Sequence, residues 1–280
     1  MTEPTAALLH FAELAGLRDL LISTVVFAVI WFAVKRPQTF SIRSWLASTG
    51  TLTDVAYWFT NRLVSAPLMI AGAAYVFGTL LPLPLLLPGL QGLPFAVQIV
   101  LGLLLYDFLA YWRHRWSHSD LLWPIHAPHH SSTHLNWLSG SREHFLDIFL
   151  IGLCGSILLL LIGFPADAVA AIGLIRLYWV NFVHMDLNFS LGPLDYIIVT
   201  PRFHRWHHVP DKKGGQNYSG FFSFYDLIFG TFYLPADRVA ERFGPGEPNY
   251  PNTFSGQLLQ PFIMYAQRIS DRIKSRINGL

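Results

Sequence analysis

The stretch FAVQIVLGLLLYDFLAYWRHRWSH, residues 95–118, changes character partway along. From Phe95 to Trp112 it is almost wholly apolar, close to the 20 or so residues that a bilayer-crossing helix needs. It then delivers two histidines, His114 and His118, four residues apart. On a helix, residues i and i+4 share a face with a rise of about 6 Å, so both imidazoles can point at one ion. Asp107 lies seven residues before His114 and eleven before His118, on the same stripe as Tyr111. A carboxylate inside a span is costly and marks function. Asp107 is expected to accept a hydrogen bond from a ligand imidazole and so fix its tautomer. The competing expectation pairs it with Arg113 or Arg62.

Outward from this stretch the chain stays apolar. Hydrophobic residues make up 52% of its 280 residues and charged residues 13%, against about 25% in a soluble domain. Disorder, coiled coil and collagen are excluded. Further spans are predicted at 17–34, ending at Lys35-Arg36-Pro37, and at 63–87, broken near its end by Pro82 and Pro84. Two more run from Phe145 to Phe164 and from Ala166 to His184. The start of the chain carries Glu3, Glu13 and Asp19 rather than the basic flank of a cleaved signal. Lys35, Arg36, Arg43 and Arg62, then Arg113, Arg115 and Arg142, then Arg202, Arg205, Lys212 and Lys213 fall on one side if that side is cytoplasmic. Only Arg18 and Arg176 break the pattern. Residues 185–250, polar and rich in Gly and Pro, read as a cytoplasmic cap. Residues 254–277 read as an amphipathic helix on the membrane surface. The expected fold is an all-α membrane protein with four to five transmembrane helices and a cap carrying the metal site. The expected divisions are 1–94, an N-terminal membrane region; 95–235, the catalytic domain; and 236–280, a tail. The net charge of +2 and the lack of a basic stripe give no nucleic-acid partner. A single cysteine, Cys154, rules out a thiolate cluster within the chain.

Eleven of the twelve histidines lie between His114 and His208. After His114 and His118 come His126-Ala-Pro-His129-His130 and His204-Arg-Trp-His207-His208, with an isolated His184 four residues before Asn188. In each HxxHH the first histidine pairs with one of the last two, and the neighbouring ring, rotated by about 100°, reaches a second ion. Eight or nine imidazoles exceed one mononuclear site and point to two metals. Imidazole suits iron, zinc, copper or nickel, whereas magnesium and calcium prefer oxygen. A zinc hydrolase uses three protein ligands and a water, so this set suits a pair of irons activating dioxygen beside a bilayer. His10 reads as an ordinary histidine, His134 as a surface residue, and His144 as a neighbour of the metal ligands or of the substrate. Asp226 is a second candidate to hold a ligand imidazole. Arg142 is expected to pair with Asp147 or meet a polar head group. Trp112 and Trp123 read as interface anchors.

These boxes resemble those of the fatty acid hydroxylase superfamily, also called the sterol desaturase family. The flanks are similar as well: Ser131-Ser132, Asn136 and Arg142-Glu143-His144 after the second box, Asn181 before His184, Thr200-Pro201 before the third, and Asn217-Tyr218 with Asp226 to Thr231 as the closing motif. The resemblance covers about residues 95–235. It implies an integral membrane di-iron oxygenase that hydroxylates or desaturates a C–H bond of a fatty acyl, sterol or other lipid, using O2 and two electrons. It carries the ligand role to His114, His118, His126, His129, His130, His184, His204, His207 and His208, with zinc able to replace iron in preparations. Thr133 stands where the alkylglycerol monooxygenase branch has Glu. Asn188 stands where some fatty acid hydroxylases have a second His, and is expected to hold a metal-bound water. No dinucleotide, haem or iron–sulfur motif occurs, so electrons are expected from a separate reductase, ferredoxin or cytochrome. Two other readings remain. One is a histidine-rich metal-binding or transport protein without redox catalysis, which predicts ionisable residues along mid-span. The other is a zinc hydrolase, for which HExxH is absent.

Overall fold

Pro94 fixes the entry to the long helix already singled out, and its position suits a helix start, where a missing N–H costs nothing. The side-chain amide of Gln98 turns back to donate to the carbonyls of Leu90 (3.1 Å) and Leu93 (2.9 Å), so the turn before the helix leaves those groups paired. In the computed structural model of the chain, residues 86–210 and 216–278 are described throughout, with 24–34, 50–65 and a few scattered positions before residue 86. His10, the charges at 35, 36, 43, 212 and 213, and most of the second expected span lie outside the described residues. The described residues contain helices and turns and no strand.

The helices are α1 (Thr24–Val34), α2 (Thr51–Thr60), α3 (Phe95–Ser117), α4 (Trp123–His130), α5 (Phe145–Ile162), α6 (Ala166–Val183), α7 (Pro201–His207), α8 (Phe224–Ile228) and α9 (Phe254–Asn278). Three of them, α3, α5 and α6, are long and apolar enough to cross a membrane. At 1.5 Å per residue the 23 residues of α3 reach about 35 Å, past a hydrocarbon core of about 30 Å. Its last turn, with His114, therefore emerges at one end of the bundle. The apolar side chains face both ways. Leu103, Tyr106, Leu159, Phe164, Val169 and Ile172 pack together between the three helices. Val97, Val100, Leu101, Phe149, Leu160 and Leu174 are exposed on their outer faces, as lipid-facing residues would be.

Two glycines set how closely the helices approach. A side chain at Gly102 would overlap Ile172, and one at Gly155 would overlap the Tyr106 ring. Gly155 sits in a single π-turn, Leu153–Ile157, that widens α5 and makes room for that ring. The turn from α5 to α6 uses Gly163 at φ +122. The Leu86 and Leu87 N–H groups donate to the carbonyls of Leu161 and Ile162 there (3.1 and 2.7 Å), pairing the end of α5.

Beyond the spans, residues 184–210 and 216–234 fold over the ends of α3 and α6. Helix α7 starts with Pro201 and is capped by the Thr200 hydroxyl, which accepts from the Phe203 N–H. Its core is Val183, Val199 and Phe203. Helix α9 is amphipathic as expected, with Leu259, Phe262, Ile263, Ile269, Ile273 and Ile277 exposed at helical spacing. The Tyr265 hydroxyl donates to the Leu121 carbonyl (2.7 Å) and ties α9 beside α4.

Candidate metal centre

Helix periodicity sorts the nine clustered histidines into two groups. His114, His118, His126, His130 and His207 form one, and His129, His184, His204 and His208 the other. Within each group one ring nitrogen from every residue lies within 4.8 Å of all the rest. In α4, His126 and His130 share a face, while His129 is turned toward the other group. In α7, His204 and the following His208 pair, and His207 crosses over. The two groups touch: the His130 and His208 rings are 4.6 Å apart between centroids.

Four of the nine have their outer nitrogen hydrogen-bonded in a way that aims the inner one, and the outer nitrogen of a fifth, His129, lies beside a carboxylate. The Nδ1 atoms of His114, His207 and His184 bond to the carbonyls of Tyr218 (2.7 Å), Gln216 (2.8 Å) and Val180 (2.7 Å). A ring that donates from Nδ1 to a carbonyl presents a lone pair at Nε2. His126 Nδ1 bonds to the Asp147 carboxylate at 2.7 Å, and Glu143 Oε1 lies 3.2 Å from His129 Nδ1. Such outer partners orient ligand histidines. Burial holds the imidazoles neutral, down at about 4 for His184 and about 3 for His207. Neutral imidazole is the form that binds metal.

The inner nitrogens fit metal ions. In the five-membered group every Nε2, buried in the interior, has no hydrogen-bond partner. In the four-membered group the Nε2 atoms crowd at 3.0 to 3.3 Å from one another. Metal–nitrogen bonds of about 2.0–2.1 Å place tetrahedral neighbours roughly 3.3 Å apart. An all-imidazole set without thiolate suits a borderline first-row metal.

Asp107 and Asp226 lie elsewhere than expected. Asp107 touches no imidazole and pairs with neither Arg113 nor Arg62. It binds Arg176 and accepts from the backbone N–H groups of Phe221 (3.0 Å) and Phe222 (2.7 Å). Asp226 accepts from the N–H groups of Tyr218 (2.8 Å) and Ser219 (2.9 Å) and from the Thr231 hydroxyl (2.7 Å). Both carboxylates therefore pin the loop 218–222, whose Tyr218 carbonyl orients His114. They act one bond further out, because a tight loop leaves its N–H groups to be paired by a carboxylate. Tyr111 joins the same structure through the Thr231 hydroxyl (2.9 Å). Asn188 is exposed and outside both histidine groups. His134 is exposed beside Thr133, as expected of a surface residue. His144 is a helix cap: its Nδ1 accepts from the Leu146 N–H, and its Nε2 meets the Leu258 carbonyl.

The carboxylates that do reach imidazoles are Asp147 and Glu143, and sequence reasoning missed both. Asp147 bridges His126 and Arg113 (2.8 Å). The signal used for Asp107, a carboxylate in a span near a box, applied to it equally. Burial and the neighbouring Asp147 push the Glu143 carboxyl well above the usual range. Arg142 does not pair with Asp147. It is buried, bonded to Asp54, to the Ser131 hydroxyl (3.0 Å) and to the Gly50 carbonyl (2.7 Å), and so locks α2 to the end of the second box. Trp123 packs its ring 5.2 Å from both His118 and His130.

Two hollows flank the centre. One, of about 270 Å³, lies among α2, α3, α5 and α6 and is bounded by Gly140, Glu143 and Val180. The other, of about 300 Å³, is a polar cleft bordered by His118, His130, His207, Trp123 and Asp120.

Residues 99–231 match the fatty acid hydroxylase family. The chain is similar to an ornithine lipid hydroxylase of Rhizobium tropici, 38% identical over 60% of this chain and 51% of that protein. It is similar to human alkylglycerol monooxygenase, 34% identical over 48% of this chain and 30% of that one. A very-long-chain aldehyde decarbonylase of Oryza sativa subsp. indica is 28% identical over 75% of this chain and 35% of its own length. The match thus spans about half of the first relative and a third of the others. No solved structure matches.

Proposed function

We propose that the chain, whose residues 99–231 match the fatty acid hydroxylase family, is a membrane-bound di-iron oxygenase acting on a lipid C–H bond. The observation that carries this reading is the sorting of nine imidazoles, eight of them buried and His118 half-buried, into a five and a four, with their inner nitrogens converging. His114, His118, His126, His130 and His207 would hold one iron, and His129, His184, His204 and His208 the other. Together the irons supply activation of dioxygen. For hydroxylation, one oxygen atom enters the C–H bond to give C–OH; the other leaves as water, using two protons and two electrons from a separate donor protein. Desaturation removes two hydrogens instead, and with the same two electrons and two protons both oxygen atoms leave as water.

The chain's own groups do the rest. Asp147 keeps the N–H of His126 at Nδ1, and the Tyr218, Gln216 and Val180 carbonyls do the same for His114, His207 and His184. The hollow between the helices takes the lipid away from water. The polar cleft beside His118 gives the electron donor and protons a separate approach. We place the centre on the cytoplasmic face, because Arg113, Arg115, Arg142, Arg202 and Arg205 all lie at its end of the bundle. Residues 1–94 and 236–280 flank the catalytic segment 95–235 in this reading, with α9 at the membrane surface. A metal-transport role is disfavoured, since the histidines sit at helix ends rather than along mid-span.

Metal analysis of the purified protein, with lipid profiles of a host carrying or lacking the gene, tests the proposal. Two irons per chain and an oxygen-dependent lipid product, gaining one oxygen or losing two hydrogens, are expected. One zinc per chain, with product formed without oxygen, would overturn it.

A further inference from the structure

Helix α9 rests on the protein for its first half and then leaves it. The Leu258 carbonyl meets His144, which caps the start of α5, at 3.2 Å. Further along, the Tyr265 hydroxyl donates to the carbonyl of Leu121, just past the end of α3 (2.7 Å). Both supports are span ends, so α9 lies across the metal-bearing end of the bundle. From Asp271 to Ile277 every residue is exposed. A short helix standing free is marginal in water, yet this one leaves Ile269, Ile273 and Ile277 each more than half exposed.

The free half has a regular order. Arg268-Ile269, Arg272-Ile273 and Arg276-Ile277 recur every four positions. At about 100° per residue the isoleucines form one stripe, the arginines border it on one side, and Lys274, next after Ile273, borders it on the other. Asp271, two residues before Ile273, stands on the opposite side of the helix. The stripe continues back through the exposed Leu259, Phe262 and Ile263. An apolar groove bounded by Phe145, Phe149, Phe254 and Leu258 brings this side of α9 beside the outer face of α5. Arg272, Lys274 and Arg276 have no ion-pair or side-chain hydrogen-bond partner among the described residues, and Arg268 lies in the field of Glu247. The helix dipole accounts for a cation in the last turn, but not for Arg268, far from the helix end at Asn278.

We propose that residues 268–277 form a docking surface for anionic phospholipid. The isoleucines enter the acyl boundary, and Arg268, Arg272, Lys274 and Arg276 meet negatively charged headgroups. Long basic side chains on the flanks of an apolar stripe reach headgroup level while their stems stay with the acyl chains. An acidic protein would need the cations but not the isoleucines, so the pattern favours a lipid surface. The inference rests on the placement of α9 at the membrane surface and is independent of the oxygen chemistry.

The test places the full-length protein in nanodiscs of phosphatidylcholine, alone or with part of it replaced by phosphatidylglycerol. Backbone hydrogen exchange over 266–277 is read by mass spectrometry, with α3 as internal reference. Each cation near an anionic surface is worth about fivefold, so exchange in α9 should slow by about tenfold or more with phosphatidylglycerol. High salt should reverse the slowing. The combined variant Arg268→Gln, Arg272→Gln and Arg276→Gln should lose the difference while α3 exchange holds. Ile269→Ser with Ile273→Ser should speed α9 exchange in both lipids. Equal exchange in the two lipids, or a difference kept by the combined arginine variant, would overturn the proposal. Equal and slow exchange would leave α9 on the membrane surface without charge selection; equal and fast exchange would remove it from that surface as well. Slowing only on addition of an acidic protein such as a ferredoxin would give the stripe to a protein partner and overturn the proposal too.

Discussion

Each HxxHH box splits its three imidazoles two to one, so the two groups depend on different residues of the same short helix. His129→Ala removes a ring from the four-membered group and His207→Ala one from the five-membered group. Each variant is expected to insert normally, retain close to one metal per chain and lose turnover to background. Metal counting with an activity assay checks this; full turnover in both would sink the ligand assignment. Asp147 adds a second layer. Asp147→Asn keeps the volume but removes the charge facing both His126 Nδ1 and Arg113. Loss of such an outer partner costs about 10–100-fold in metal affinity, read by competition with a chelator. Glu143 and Asp147 escaped notice because sequence spacing pairs Asp147 with Arg142 and gives Glu143 no partner, although Asp147 carries the same signal as Asp107. Only the folded chain shows that they face α4.

At the scale of elements, the three apolar helices pack through small residues and a tight turn. Gly163 carries φ +122, and a Cβ there would sit 2.5 Å from the Leu87 carbonyl oxygen, which is backbone and cannot swing aside. Gly163→Ala is expected to destabilise the α5–α6 hairpin by about 1–3 kcal/mol, seen as a lower melting temperature in detergent. An unchanged melting temperature would contradict the turn geometry. Helix ends and membrane-long runs were legible because bilayer thickness sets helix length and proline sets the start. The α3, α5 and α6 boundaries fall within a few residues of the expected 95–112, 145–164 and 166–184. The π-turn in α5 was not legible: it answers the Tyr106 ring of a different helix.

For the whole molecule, the histidines arrive from α3, α4, the end of α6 and α7, stretches up to 94 residues apart between His114 and His208. A ligand that binds only the folded arrangement stabilises it by mass action. Removing the metals should therefore lower the melting temperature and expose the 200–235 segment to protease, and restoring iron should reverse both. Protease resistance unchanged by a chelator would show that the cap stands without metal. The Asp107, Asp226 and Arg142 contacts belong to this scale too. Those of Asp107 and Arg142 join segments far apart in the chain, whereas Asp226 pairs within residues 218–231; a reading by local spacing gives both carboxylates to ligand imidazoles and Arg142 to Asp147 or a head group.

What the amino-acid order determined by itself is periodic and local: apolar runs as long as a bilayer is thick, and imidazoles spaced to share a helix face. Chain connectivity constrains those features within one element. Which carboxylate meets which imidazole, and how nine rings divide into a five and a four, were decided by tertiary structure alone. Those pairings form where separate helices pack, and their partners are set by distance in space.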